Sequence, residues 1–65
     1  MSEKIKDFCL IYYDESMNAE QQIKWSDSVA ALAEEAYDSV LLAKKYHVAK
    51  IFDIDLRVVY LFEKP

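Results

Sequence analysis

From Phe52 onward every even position is apolar: Phe52, Ile54, Leu56, Val58, Tyr60 and Phe62. The odd positions begin as Ile51, Asp53, Asp55 and Arg57 and turn apolar at Val59 and Leu61. A period of two marks extended chain with one buried face, and it predicts strand over Val48–Phe62. One straight strand of that length would reach roughly 50 Å, far more than the radius of gyration of about 11 Å expected of so short a chain. Two arrangements satisfy both numbers. The segment turns back as a hairpin at Asp53-Ile54-Asp55-Leu56, since aspartate suits turn geometry, or it bends as one long strand paired with a second chain. The hairpin is the preferred reading, and its even face is expected to lie under a helix.

A second strand is predicted over Ile5–Tyr13. Phe8, Leu10 and Tyr12 point one way and Cys9, Ile11 and Tyr13 the other, so both faces are apolar and the strand is central. Asp14-Glu15-Ser16-Met17-Asn18 then interrupts the pattern with turn-forming side chains. Asn18, with Gln21 three residues on, has the form of a capping box for a short helical turn through Trp25; an irregular loop or an extended arm is the alternative.

Ser26–Tyr46 is the main predicted helix. Ser26 serves as N-cap and Asp27 lies in the first turn, where a carboxylate suits the helix dipole, with Lys44, Lys45 and His47 near the other end. The apolar stripe runs Val29, Leu32, Ala33, Ala36, Val40 and Ala43 at spacings of three and four. Asp27, Glu34, Asp38 and Lys45 fall opposite, while Tyr37, Leu41 and Leu42 widen the apolar arc. The elements add up to a single small α+β domain over residues 1–65: a β-α-β-β sheet with one main helix on one face. Leu32 and Ile54 are expected in its core.

Composition sharpens this picture. Of the 65 residues, 54% are apolar and 14% aromatic. A domain of this size buries only about 60% of its unfolded surface, so the excess of apolar residues points to a partner or to homodimerisation. There is no glycine, which excludes phosphate-cradling and dinucleotide-binding loops that need close backbone approach. It also leaves the turns to Asp, Asn and Ser. One cysteine, Cys9, precludes an internal disulfide and a multi-cysteine zinc site, and reads as a small buried hydrophobe. Met1–Lys6 is polar and no run of about 18 apolar residues follows. The chain is therefore expected to be cytoplasmic, with neither a secretion signal nor a membrane span.

The net charge of −4 is uneven. Asp7 to Ala43 carries eight acids against Lys24, whereas Lys44 to Pro65 carries five bases against three acids. An acidic total disfavours nucleic-acid binding, which needs a basic stripe. It favours a basic protein surface as target.

Few residues suggest chemistry. Asp53 and Asp55 at i and i+2 could hold a divalent cation or act as an acid–base pair, but the simpler reading is turn or solvent-side residues with Arg57 nearby. His47 has no nucleophile motif around it and reads as a helix-end residue. The expectation is a chain with no catalytic residue, no metal site and no cofactor.

The recognition signal is stronger. Tyr12, Tyr13, Tyr37, Tyr46, Tyr60 and Trp25 give an aromatic load of the kind found where binding energy concentrates. Trp25 stands out, together with the acidic patch Glu34, Glu35 and Asp38 and the apolar end of the last strand, Val59 and Leu61. These six are the expected partner-binding residues. In size and charge the chain resembles, in a general way, small acidic α+β proteins of phages and other mobile elements, with no motif tying it to one family. The function expected is a non-enzymatic protein-binding module, an inhibitor or regulator that acts by occupying a partner's surface. A homo-oligomeric structural or regulatory subunit is the alternative.

Overall fold

Apolar residues on both sides of β1, Phe8–Tyr13, place it between two neighbours. In the computed structural model, which describes residues 7–65, it pairs antiparallel with β2, Lys24–Ser26, on one side and with β3, Val48–Phe52, on the other. β3 pairs in turn with β4, Val58–Glu63, giving one sheet in the order β2-β1-β3-β4. The expected strand start at Ile5 lies outside the described residues.

The predicted α+β class and the helix on one face are present, and the sheet has one strand more than expected. No helical turn forms between Asn18 and Trp25. Ala19 instead bridges to Tyr13, and Lys24–Ser26 runs back along β1. The capping-box pattern lost because the chain leaving the Asp14 turn can satisfy its backbone groups along β1, as the Glu20 N–H does on the Tyr12 carbonyl at 2.8 Å.

The helix is shorter than its pattern. α1 spans Val29–Tyr37 and continues as a π-helical segment, Asp38–Leu42. Ser28, not Ser26, is the N-cap: its Oγ accepts from the Ala31 N–H at 3.3 Å, and Ser26 Oγ accepts from the Ser28 N–H at 3.0 Å. Asp27 therefore precedes the helix. At the far end the Ala43 N–H reaches the Asp38 carbonyl and the Lys45 N–H the Ser39 carbonyl, both at 2.8 Å, with Lys44 at φ 53°. That left-handed residue ends the helix well before Tyr46.

Leu32, Ala36 and Val40 from the helix meet Leu10, Tyr12, Ala49 and Ile51 from the sheet, and these seven form the buried core. Phe8, Val29, Ala33, Tyr46 and Phe62 close around them. The stripe read from the sequence is thus the one that packs on the sheet as far as Val40, while Ala43 lies past the last helical residue and is exposed; the small Ala36 lets the helix lie close to the strands.

The C-terminal segment is a hairpin, but its even positions do not share a buried face. Ile54 and Leu56 sit in the turn at 66% and 75% exposure, and the β3–β4 register shifts between Ile51 and Phe52. Ile51 pairs with Tyr60 and Phe52 with Val58, leaving Val59 as the extra residue of a bulge. A bulge reverses the parity of a strand. Tyr60 and Phe62 therefore share the helix side with their partners Ile51 and Ala49, while Val58 shares the opposite side with Phe52. Ile54 is consequently no core residue.

Candidate functional face

The side of the sheet turned away from the helix is built in three rows. Cross-strand partners point to the same side, so the register sets Trp25, Cys9, Phe52 and Val58 side by side across all four strands. The next row is Ile11, Lys50 and Leu61, and the third is Tyr13, Val48 and Glu63. Cys9 and Val48 are buried yet belong to no part of the helix-side core. No helix among the described residues lies on this side. Trp25, Val58 and Leu61 are 54%, 49% and 52% exposed. The face is apolar and aromatic around one central cation, Lys50, whose Nζ stands 5.0 Å from the centroid of the Tyr13 ring. Such a contact holds the ammonium in place without neutralising it.

Cys9 lies in the first row, 3% exposed between Trp25 and Phe52. Burial pushes its thiol up, against a smaller opposing effect of a hydrogen bond to the Phe52 backbone. A thiol held protonated is a poor nucleophile and a poor metal ligand. It fills space here, as its setting in the sequence suggests.

The six expected binding residues divide between two sides of the molecule. Trp25 and Leu61 are on the sheet face turned away from the helix, and Val59 is the bulge residue beside it, 42% exposed. Glu34, Glu35 and Asp38 are on the helix layer. Their patch is also not free: Glu35 makes an ion pair and hydrogen bond with Lys24 of β2. This hydrogen bond, with the attraction of the carboxylate, holds the Lys24 ammonium above its ordinary value. Glu34 and Asp38 remain exposed. The sequence pattern missed Phe52, Val58 and Lys50, because assigning them to this face requires the strand register and the bulge.

Asp53, among the residues weighed for chemistry, caps the turn. Asp53 Oδ1 accepts from the N–H groups of Asp55 and Arg57 at 2.9 and 3.0 Å. The His47 N–H donates to the Tyr13 carbonyl at 3.0 Å, and the His47 carbonyl accepts from the Lys64 N–H at 2.8 Å. Among the described residues no group of three or more His, Cys, Asp or Glu side chains is placed to hold a metal ion. Two open grooves lie elsewhere. One of about 420 Å³ runs beside Tyr12, Glu20, Lys24 and Tyr46. One of about 330 Å³ at the end of the fold is lined by Lys44, Lys45, His47 and Lys64 together with Asp14, Glu15 and Glu20, so its charges largely offset one another.

No family model matches the chain, and no similar curated protein or solved structure is found. No helix among the described residues is long and apolar enough to cross a membrane.

Proposed function

We propose that this chain is a protein-binding module, an inhibitor or regulator without catalytic activity of its own, that acts by occupying a partner's surface through its uncovered sheet face. The supporting observation is Trp25, 54% exposed at the head of the apolar row Trp25-Cys9-Phe52-Val58. A one-sided sheet leaves its second face to water, and an apolar second face is normally covered. Trp is among the commonest anchors of an interface, since it buries a large area with few rotors. Lys50 in the middle of the face calls for a carboxylate on the partner, positioned among apolar groups.

The experiment places a photo-crosslinking side chain at position 25, or at position 34 on the helix, in otherwise identical protein added to an extract of the source cells. A discrete crosslinked partner from position 25, identified by mass spectrometry and absent from position 34, is the expected result. Equal crosslinking from both positions, or none from either, overturns the reading.

A further inference from the structure

We infer that the element seated on the sheet face turned away from the helix is an amphipathic helix of the partner protein, lying along the strands with a carboxylate over Lys50. The inference rests on the binding reading of this face and adds the chemistry of what binds there.

A sheet face offers side chains and no backbone groups. β1 is bonded on both sides, to β2 and β3, and β3 on both sides, to β1 and β4. A lone extended segment laid across them would bury N–H and C=O groups with nothing to bond to. A helix bonds its own backbone internally and presents side chains alone.

The dimensions agree with a helix. Four strands about 4.8 Å apart make the first row about 14 Å wide, and the three rows from Cys9 to Tyr13 extend about 13 Å along the strands. A helix about 10–12 Å across covers that area in roughly two and a half turns. Successive rows are two residues apart, about 6.6 Å along a strand, and four residues of helix rise about 6 Å. Side chains at i, i+4 and i+7 or i+8 of the partner therefore fall on the three rows in turn.

Charge fixes what stands in the middle. Lys50 is the central residue of the second row, between Ile11 and Leu61. It is half-buried, and among the described residues no carboxylate forms an ion pair with it. A helix covering that row takes the ammonium out of water, which is unfavourable unless an opposite charge meets it there. The partner thus carries an apolar residue at i, over Cys9 and Phe52, and Asp or Glu at i+4, over Lys50. A second copy of this chain docked centre to centre would set Lys50 against Lys50, so the face selects a foreign acidic stripe over itself.

The probe is a display library of random peptides of about 18 residues, roughly five turns if helical. It is selected on the full chain, immobilised by a biotin at position 34 on the helix side. The enriched peptides are expected to share apolar residues at i and at i+7 or i+8, with Asp or Glu at i+4. A proline placed mid-peptide, on its solvent side, is expected to abolish binding. Changing the acid to its amide is expected to weaken binding at least about tenfold to the parent chain but less than about twofold to Lys50→Met. Circular dichroism confirms the fold of that variant, and Lys50→Gln serves as a second. Peptides of period two, peptides without an acid, equal losses in parent and variant, or no enrichment overturn the proposal. So does a crosslink from position 25 to a second copy of this chain. The binding reading is judged separately: where position 25 crosslinks a discrete foreign partner and the peptides fail, only the helical occupant is lost.

Discussion

Asp14 and Asp53 make the same hydrogen bonds in two separate turns. Each accepts at Oδ1 from the N–H two residues on, Ser16 or Asp55, and from the N–H four residues on, Asn18 or Arg57. Each donates its own N–H to the carbonyl four residues on and accepts at its carbonyl from Met17 or Leu56. Met17 and Leu56 stand at φ 65° and 63°. The segments DESMN and DIDLR therefore build one turn geometry, with a left-handed fourth residue that glycine normally supplies. The aspartate compensates by satisfying two backbone donors that the turn would leave to water.

Asp53→Ala is expected to cost about 1 kcal/mol in urea unfolding, the usual loss for such hydrogen bonds, while Asp53→Asn keeps an acceptor and loses less. Equal losses from the two variants would show that charge, not acceptance, is what the turn needs.

At Asp14 the same donors, first among them the Asn18 N–H, hold the carboxyl below its ordinary 3.8. A lowered folded-state value means that this contribution is present above pH 3.8 and is lost as pH falls through the lower folded value. The melting temperature is expected to drop more steeply below that pH for the parent than for Asp14→Asn. Parallel curves would refute the linkage.

Leu56→Gly is expected to stabilise. The leucine is 75% exposed, so little packing is lost, and relief of the left-handed backbone outweighs the added freedom of the unfolded chain by about 0.5–1 kcal/mol. Met17→Gly, at a residue 48% exposed, is expected to gain less. A lower urea midpoint for Leu56→Gly would mean that this side chain makes contacts worth more than the strain.

Ile51 and Ile54 are a matched pair of the same residue three apart. Ile51 is fully buried and Ile54 is 66% exposed. Ile51→Ala is expected to cost about 2–5 kcal/mol, enough to leave so small a domain largely unfolded, and Ile54→Ala less than about 0.5. Leu32→Ala, at another core position, belongs with Ile51. Similar midpoints for the two isoleucine variants would overturn the placement of Ile51 in the core and of Ile54 in an exposed turn.

Tyr12 joins the sheet to the π-helical segment. Its hydroxyl donates to Ser39 Oγ at 3.1 Å, with the Glu35 carbonyl 3.4 Å away, while its ring stacks on Tyr46 at 4.2 Å between centroids. Tyr12→Phe retains the stack and is expected to cost about 1 kcal/mol, and a double-mutant cycle with Ser39→Ala should show coupling. Burial, opposed in part by the Ser39 hydrogen bond, raises the phenol above its ordinary 10.0. Below pH 10.0 both states are neutral; above it the unfolded phenol ionises first, so this contribution fades as pH rises toward the folded value. The decline is expected to be shallower in Tyr12→Phe.

The strand at Phe8–Tyr13, the helical stripe through Leu32, Ala36 and Val40, and the turn at Asp53–Leu56 were all legible in the sequence. Each depends on local periodicity or on turn chemistry confined to a few residues. β2 was not legible, because Lys-Trp-Ser has no pattern of its own and becomes a strand only where β1 offers it free hydrogen-bonding groups. The candidate site was read in half. Trp25, Val59 and Leu61 carry their signal in residue type. Lys50, Phe52 and Val58 join them only through register.

By itself, then, the sequence determined an α+β chain with an alanine-lined helix, glycine-free aspartate turns, and more apolar surface than one small core absorbs. Tertiary structure decided where that surface goes. One extra residue at Val59 reverses which side chains of β4 meet the helix, and no run of local preferences can express a pairing between strands. The same pairing puts Trp25 and Val58 in one row across four strands while holding Glu34 and Asp38 on the other side of the molecule. A two-layer fold has a helix for only one face of its sheet.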